Sequence, residues 1–446
     1  MEKMKLTFYG ATSTVTGSKT FLHINGKNIL IDSGMFQGGK DLSDLNQKLP
    51  DFDISKIDAI FLTHAHYDHS GYLPVLVKNG FKGKIYCTEV TKKIVEIILK
   101  DSANIQEYDF KERKIKEVLY GLDDVDETMT YFKVVEQGQW YGDDFRYIFE
   151  EAGHILGASS IIFDNGESKI CFSGDVGRKD DLIHMAPHKE TESDYLVIES
   201  TYGDRLHKKE DTQLVLKKHI KRIISTQGVL LIPAFAVART QVIIYSLFEL
   251  FEKYPDIDIP IYLDTPMGVR VTRLYMQMAE KLKVDSERFI SAMKKVRFVE
   301  YSSDTKKLAR AKKPFILISS SGMISGGKIL KYMDMYAKHE NNTVLITGFQ
   351  GEGTIGRKLV DNEKEIYLLG HTMNVRAHVE KLESMSAHAD RDELIDYIKK
   401  SGSNLKKVFV NHGEEPVVIN FVKTIKESLG VEAINVEDGI DYILGE

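Results

Sequence analysis

The segment Thr63-His64-Ala65-His66-Tyr67-Asp68-His69 constrains this chain more than any other. It packs histidines and an aspartate into one short turn. It follows Ile57-Asp58-Ala59-Ile60-Phe61-Leu62, an apolar run that reads as a buried strand. A strand that ends in such a cluster presents its side chains together at the edge of a sheet. Imidazole nitrogens and a carboxylate suit zinc, and catalytic zinc keeps one position open for water. The spacing points to two metals. His64 and His66 alternate and face one ion, while Asp68 and His69 lie just beyond and face a second. A merely solvated, charged loop has little reason to place histidines so close together.

Two ions need further ligands, and other strand ends offer them. His154 lies in the Gly-flanked turn Glu151-Ala152-Gly153-His154-Ile155-Leu156-Gly157, before an apolar stretch over 158–163. Asp175 closes Ile170-Cys171-Phe172-Ser173-Gly174-Asp175, and His412 closes Val408-Phe409-Val410-Asn411-His412-Gly413. Taken singly, each is as readily a satisfied turn residue. As a set they complete two coordination spheres, with an aspartate bridging the ions.

Together with Asp32, at the end of Asn28-Ile29-Leu30-Ile31-Asp32-Ser33-Gly34, this pattern resembles the metallo-β-lactamase superfamily. The resemblance implies an α/β fold, a four-layer αβ/βα sandwich with the metals at one edge between two sheets. Asp32 would brace the ligands from behind. His64, His66, His154 and Asp175 would hold one zinc, and Asp68, His69, Asp175 and His412 the other.

The likeness extends to the β-CASP nucleases. Glu199, in Val197-Ile198-Glu199-Ser200-Thr201, resembles their motif A. His388, in Ser386-Ala387-His388-Ala389-Asp390, resembles motif B, and His412 motif C. Further stretches similar to the family run over 232–241, 320–327 and 351–357, so the match spans nearly the whole chain. Ala238 departs from it, since the family often has glycine before Arg239. Histidine at motif C favours RNA over DNA. The loop Gly10-Ala11-Thr12-Ser13-Thr14-Val15-Thr16-Gly17-Ser18 resembles the branch that contains the endonuclease subunit of the mRNA cleavage and polyadenylation complex.

The resemblance implies a zinc-dependent ribonuclease acting in RNA processing or decay. Two zinc ions would lower the pKa of a bridging water for attack on phosphorus. Asp68 would hold the proton of that water. His388 would contact the scissile phosphate and protonate the leaving oxygen, with Glu199 as its carboxylate partner. Endonuclease and 5′-exonuclease modes both occur in the family. A homodimer and membership of an RNA-processing complex are both open. Two rivals stand beside this reading. A small-molecule metallo-hydrolase would not need the long insertion or Ser386-Ala387-His388. A non-catalytic β-CASP scaffold would have lost ligands.

The motifs also set the domain organisation. Residues 1–205 form the first part of the metallo-β-lactamase domain, 206–375 an inserted β-CASP domain, and 376–446 the return to the first. Substrate would enter between the two. Strands over 229–232, 259–263, 315–318 and 343–346 alternate with helices such as 240–253, which predicts a mostly parallel inserted sheet. Glu89 to Val118 reads as one long helix. No nucleic-acid module is expected at either end. Arg239, Lys328, Arg357 and Arg376 are candidates to line a groove, though each taken singly is more readily a surface charge or ion-pair partner. Gly322, Gly326 and Gly327 either cradle a phosphate with backbone N–H groups or simply turn the chain before a helix near Lys328.

Composition sets limits. The 446 residues, 42% apolar and 28% charged, suffice for two domains with cores. A net charge of −6 argues against non-specific coating of nucleic acid. No apolar run reaches membrane-spanning length, and the N-terminus leads straight into Leu6-Thr7-Phe8-Tyr9 without a signal-peptide pattern. Cys87 and Cys171 sit in apolar strands, so buried free thiols and a cytoplasmic setting are expected.

Overall fold

In the computed structural model, which describes residues 3–188 and 190–445, the chain divides into two compact units. The first comprises Met1–Asp180, Met185–Leu206 and His388–Glu446. The second comprises Asp181–His184 and His207–Ala387.

Two seven-stranded sheets build the first unit. One runs in the order Asp441–Ile443, Lys5–Phe8, Thr20–Ile24, Lys27–Ile31, Ala59–Phe61, Lys84–Cys87, Phe132–Val134. The other runs Glu432–Asn435, Lys407–Val410, Tyr195–Ile198, Lys169–Phe172, Ser159–Asp164, Arg146–Glu151, Trp140–Tyr141. Side chains alternate across a strand, so one set of residues can serve two cores. Tyr147, Phe149, Ile161, Phe163, Phe172, Val197 and Phe409 join Phe8, Ile29, Ile31 and Phe61 in the core shared by the two sheets. Their neighbours Ile148, Ile162, Cys171, Leu196, Ile198, Val408 and Val410 face the other way. They pack against Leu394 and Ile398 of the helix Arg391–Lys399 and Val418, Phe421 and Ile425 of the helix Glu415–Leu429. The result is the αβ/βα sandwich.

The strand directions position the site. Lys27–Ile31, Ala59–Phe61 and Lys84–Cys87 are mutually parallel neighbours, and so are Lys169–Phe172, Tyr195–Ile198 and Lys407–Val410. Parallel neighbours bring their carboxyl ends to one edge. Asp32, the 64–69 cluster, Asp175, Glu199 and His412 all come directly after such ends.

All paired strands of the second unit's six-stranded sheet are parallel, in the order Arg297–Phe298, Ile261–Leu263, Phe315–Ser319, Val229–Pro233, Thr343–Thr347, His378–Leu382. Val229, Leu231, Phe315, Leu317, Val344 and Ile346 anchor its core.

One expectation needs correction. The helix from Glu89 stops at Lys111 rather than running to Val118. Arg113 turns left-handed at φ +58°, and Lys114 N–H closes on the Asp109 carbonyl at 2.8 Å. Residues 111–118 are largely charged and exposed, so they offer no apolar face to extend the packing. Cys87 and Cys171 are buried free thiols. Among the described residues, no helix is long and apolar enough to cross a membrane.

Candidate metal centre

The predicted ligands lie together, in two sets that share Asp175. In the first set, His66 Nδ1 is 3.2 Å from His64 Nε2 and 3.0 Å from His154 Nε2. Asp175 Oδ2 is 3.5 Å from His64 Nε2 and 3.4 Å from His154 Nε2. In the second, His69 Nε2 is 3.1 Å from His412 Nε2 and 3.3 Å from Asp175 Oδ1, while Asp68 Oδ2 is 3.6 Å from His412 Nε2. Bonds of about 2.0–2.2 Å in a tetrahedron set donor atoms about 3.3–3.6 Å apart. Asp175 therefore presents one oxygen to each set.

The hydrogen bonds behind the ligands fix which nitrogen is free. Asp32 accepts the Thr63 N–H at 2.8 Å on one oxygen and the Thr63 hydroxyl at 2.8 Å on the other. That second oxygen also takes His69 Nδ1–H at 2.7 Å. Because the Thr63 hydroxyl is spent on Asp32, it can only accept from His64 Nδ1, 3.1 Å away. These bonds aim Nε2 of both rings at the centre. Burial disfavours a charged His69, but Asp175 and Asp32 outweigh it and raise that ring well above the ordinary imidazole value, so a metal would have to displace a proton there. With His64 so fixed, a single proton on His66 Nδ1 cannot serve both of its ring neighbours. A cation serves all of them. Asp175 Oδ1 is likewise buried without a hydrogen-bond partner.

Electrostatics separates the first set of rings from His69. Burial drives His64 and His154 well below the ordinary imidazole value and His66 down to about 4, so these rings are neutral donors. Burial opposes ionisation of Asp175, but the adjacent His412, His69 and His64 rings hold its carboxyl well below the usual range. Asp68 is also depressed, burial being outweighed by His412 and His69. Asp32, Asp175 and Glu199 are nearly inaccessible and meet imidazoles, a hydroxyl and backbone amides. Cations would neutralise such a cluster. The residues present fit a two-metal centre.

Glu199 and His388 stand beside it. Glu199 accepts the Val176 N–H at 2.7 Å and both its oxygens lie 3.1 Å from His388 Nδ1. Burial disfavours the His388 imidazolium, but Glu199, Asp175 and Asp68 outweigh it and raise the ring to about 9. The His388 side chain keeps 20% exposure, and its ring centroid is 4.6 Å from that of His154. Burial at Glu199 and access at His388 suit a positioned acid.

Backbone strain and glycine hold the loops. Asp32, His154 and His412 all have positive φ, between +49° and +60°. A Cβ on Gly34 would collide with the Asp68 carbonyl, and one on Gly177 with the His154 amide. The 10–18 loop ties two ligand turns down: Ala11 accepts the His412 N–H at 2.6 Å, and Ser18 N–H donates to the Asp68 carbonyl at 2.9 Å. Sequence reasoning gives no role to Thr63 or to Thr201, whose hydroxyl is 3.4 Å from His412 Nδ1. Their positions beside His64 and Glu199 are the signal that could have found them.

The substrate-contact candidates lie in the second unit. Arg239 starts the helix Arg239–Lys253 and is buried. Arg357 pairs with Asp361 at 2.8 Å, Lys328 pairs with Asp264 at 2.5 Å, and Arg376 is exposed. A Cβ on Gly322 would meet the Phe235 ring at 2.8 Å, and Gly327 has φ +75°, so both have conformational reasons of their own. Gly326 faces open space. Ala238 sits at φ +64°, ψ −58°, with Arg239 N–H bonded to the Val237 carbonyl at 2.8 Å. This is the rare positive-φ γ-turn, where glycine would be unstrained.

Comparison with known proteins agrees with this geometry. Residues 15–204 match the metallo-beta-lactamase superfamily, 240–359 the Beta-Casp domain, and 372–436 the Zn-dependent metallo-hydrolase RNA specificity domain. The chain is 31% identical to Ribonuclease TTHA0252 of Thermus thermophilus, over 95% of this chain and 96% of that one. It is 32% identical to Probable RNase MJ4 of Methanocaldococcus jannaschii, over 92% and 94%. It is 28% identical to the transcription termination factor FttA of Methanosarcina mazei, over 96% of this chain and 70% of that one. A solved structure of a protein of unknown function from Enterococcus faecalis V583 shares the fold, with TM-score 0.57 and 13% identity over 99% of this chain and 100% of that one. The chain belongs to the β-CASP ribonuclease family of the metallo-β-lactamase superfamily.

Proposed function

We propose that this β-CASP protein is a zinc-dependent ribonuclease that holds two zinc ions per chain and hydrolyses phosphodiester bonds within RNA. The observation that carries the reading is Asp175, whose two oxygens face two separate donor sets at 3.3–3.5 Å. His64, His66 and His154 complete one set, and Asp68, His69 and His412 the other. When bound, the metals supply Lewis acidity that activates water and neutralises charge gathering on the phosphate oxygens.

The protein's own groups do the rest. Asp68 keeps 17% side-chain exposure, so its carboxylate can hold a proton of the attacking water. Glu199 clamps His388 Nδ1, which leaves Nε2–H as the donor toward substrate. Glu199, Asp175 and Asp68 favour the protonated ring, and in that form it can contact the scissile phosphate and give its proton to the leaving oxygen. RNA as substrate rests on His412 at motif C, on relatives named as ribonucleases, and on the RNA specificity match that spans His388 and His412.

The test incubates metal-loaded protein with RNA labelled at the 5′ or the 3′ end, with and without chelator. Internal cuts should yield discrete fragments carrying either label, stop with chelator and return with zinc. Release of mononucleotides from the 5′ label would replace the endonuclease with a 5′-exonuclease. Intact RNA would overturn the enzyme reading in favour of a scaffold.

A further inference from the structure

The second unit holds another histidine cluster. His219 lies on the helix Thr212–Thr226, on the inward face with Leu216, Ile220 and Ile223. Its side chain is 0% exposed, yet neither Nδ1 nor Nε2 has a hydrogen-bond partner. Buried polar groups are almost always partnered, so an orphaned imidazole on an apolar face calls for a reason.

The edge strand His378–Leu382 supplies one. His378 and Glu380 are two residues apart and share a face of the strand. The His378 ring stacks on His219, with centroids 5.4 Å apart and planes at 25°. Glu380 Oε2 is 3.6 Å from His219 Nε2 and 3.5 Å from His378 Nε2. Both separations exceed the roughly 2.7–3.2 Å of a hydrogen bond. Both match the edges of about 3.3–3.6 Å in a tetrahedral zinc site. One donor atom from each of the three residues falls within 4.8 Å of the others.

We propose that His219, His378 and Glu380 form a further zinc site, which ties the helix Thr212–Thr226 to the edge strand. His378 and Glu380 are 40% and 36% exposed, so water can fill the fourth position. Burial depresses His219 to about 4, which leaves its ring neutral with a lone pair to give. Lys218 Nζ, 3.4 Å from Glu380 Oε2, is the competing cation. Its side chain is 68% exposed and can leave as the metal enters. Zinc here would satisfy Nε2, one of the two buried His219 nitrogens that lack a hydrogen-bond partner.

The test is equilibrium dialysis of chelator-stripped protein against micromolar zinc, with elemental analysis of wild type, His378→Ala and Glu380→Gln. Wild type should bind one more zinc ion per chain than either variant, and its zinc-dependent gain in Tm should shrink in both. Glu380→Gln keeps the side-chain shape and serves if His378→Ala fails to fold. The readout is the difference in bound zinc, so it does not depend on whether the first unit binds two ions or cleaves RNA. Equal zinc in wild type and the folded variants overturns the site.

Discussion

The two histidine clusters differ in what stands behind their ligands. At the Asp175 centre, the far nitrogens of His64 and His69 are held by Thr63 and Asp32, and the turns that carry Asp68 and His412 are tied to the 10–18 loop. At His219, neither ring nitrogen has a hydrogen-bond partner, and His378 and Glu380 are part-exposed on an edge strand. The first arrangement is held by the protein's own hydrogen bonds, while the second has none behind its buried ring. Supporting hydrogen bonds typically change metal affinity about 10–100-fold. The Asp175 centre should therefore bind tightly and the His219 site reversibly.

The sharpest way to break the contrast is Asp175→Ala. It removes an oxygen from each donor set, so both zinc ions and RNA cleavage should be lost together. The activity loss should exceed the roughly 10²–10⁴-fold expected for one proton-transfer group. Zinc bound at His219 should survive. Elemental analysis and labelled-RNA assays on one preparation check both statements.

Next in size is His388→Ala, which should lose about 10²–10⁴-fold in cleavage while keeping its zinc. Proton donation by this ring requires the charged form, so activity should fall as pH rises through its folded pKa. The value of about 9 reflects the neighbouring carboxylates, and bound cations would pull it down. Glu199→Gln should move the alkaline limb of kcat further toward neutral pH. An unchanged limb would remove Glu199 from this role.

Asp32→Ala probes the support rather than the ligands. It frees His69 Nδ1 and the Thr63 hydroxyl, and zinc affinity at the centre should drop about 10–100-fold with competitive chelators as the measure.

The second unit contains a buried histidine of the opposite kind. His184 Nδ1 bonds Asp181 at 2.9 Å and Nε2 lies 3.2 Å from the Tyr275 hydroxyl. Burial opposes the Asp181 charge, but His184 and the amides of His184 and Ile183 hold its carboxyl well below the usual range. A carboxyl depressed in the folded state stabilises it above about pH 4, and that contribution fades as pH falls through the folded value. Asp181→Asn should therefore destabilise by about 1–2 kcal/mol at pH 7, with the gap narrowing in acid. Thermal unfolding across pH measures it. Smallest of all, Ala238→Gly should stabilise by about 1 kcal/mol by relieving the positive-φ turn. A loss of stability would mean that the turn is not strained.

Much of the Asp175 centre is legible in the sequence because strand-end ligands carry their own pattern. Parallel strands put the ends of 27–31, 59–61, 169–172, 195–198 and 407–410 on common edges, so local motifs distant in sequence point to one place. Thr63 and the 10–18 loop are not legible in this sense, since hydroxyls and carbonyls in turns look alike until their partners are known. The helix end at Lys111 is hidden because alternating charges keep helical spacing without a buried face. His219 is hidden because a single histidine on an apolar helix face resembles any core histidine. Its meaning depends on a strand that lies far along the chain.

The central claim, that Asp175 joins two separate metal positions, is most directly tested by diffraction from zinc-loaded crystals at the zinc absorption edge. Two anomalous peaks should appear on either side of Asp175. One should be about 2.0–2.2 Å from His64, His66 and His154, and the other at the same range from Asp68, His69 and His412. A single peak, or two peaks with His412 turned away from both, would contradict it.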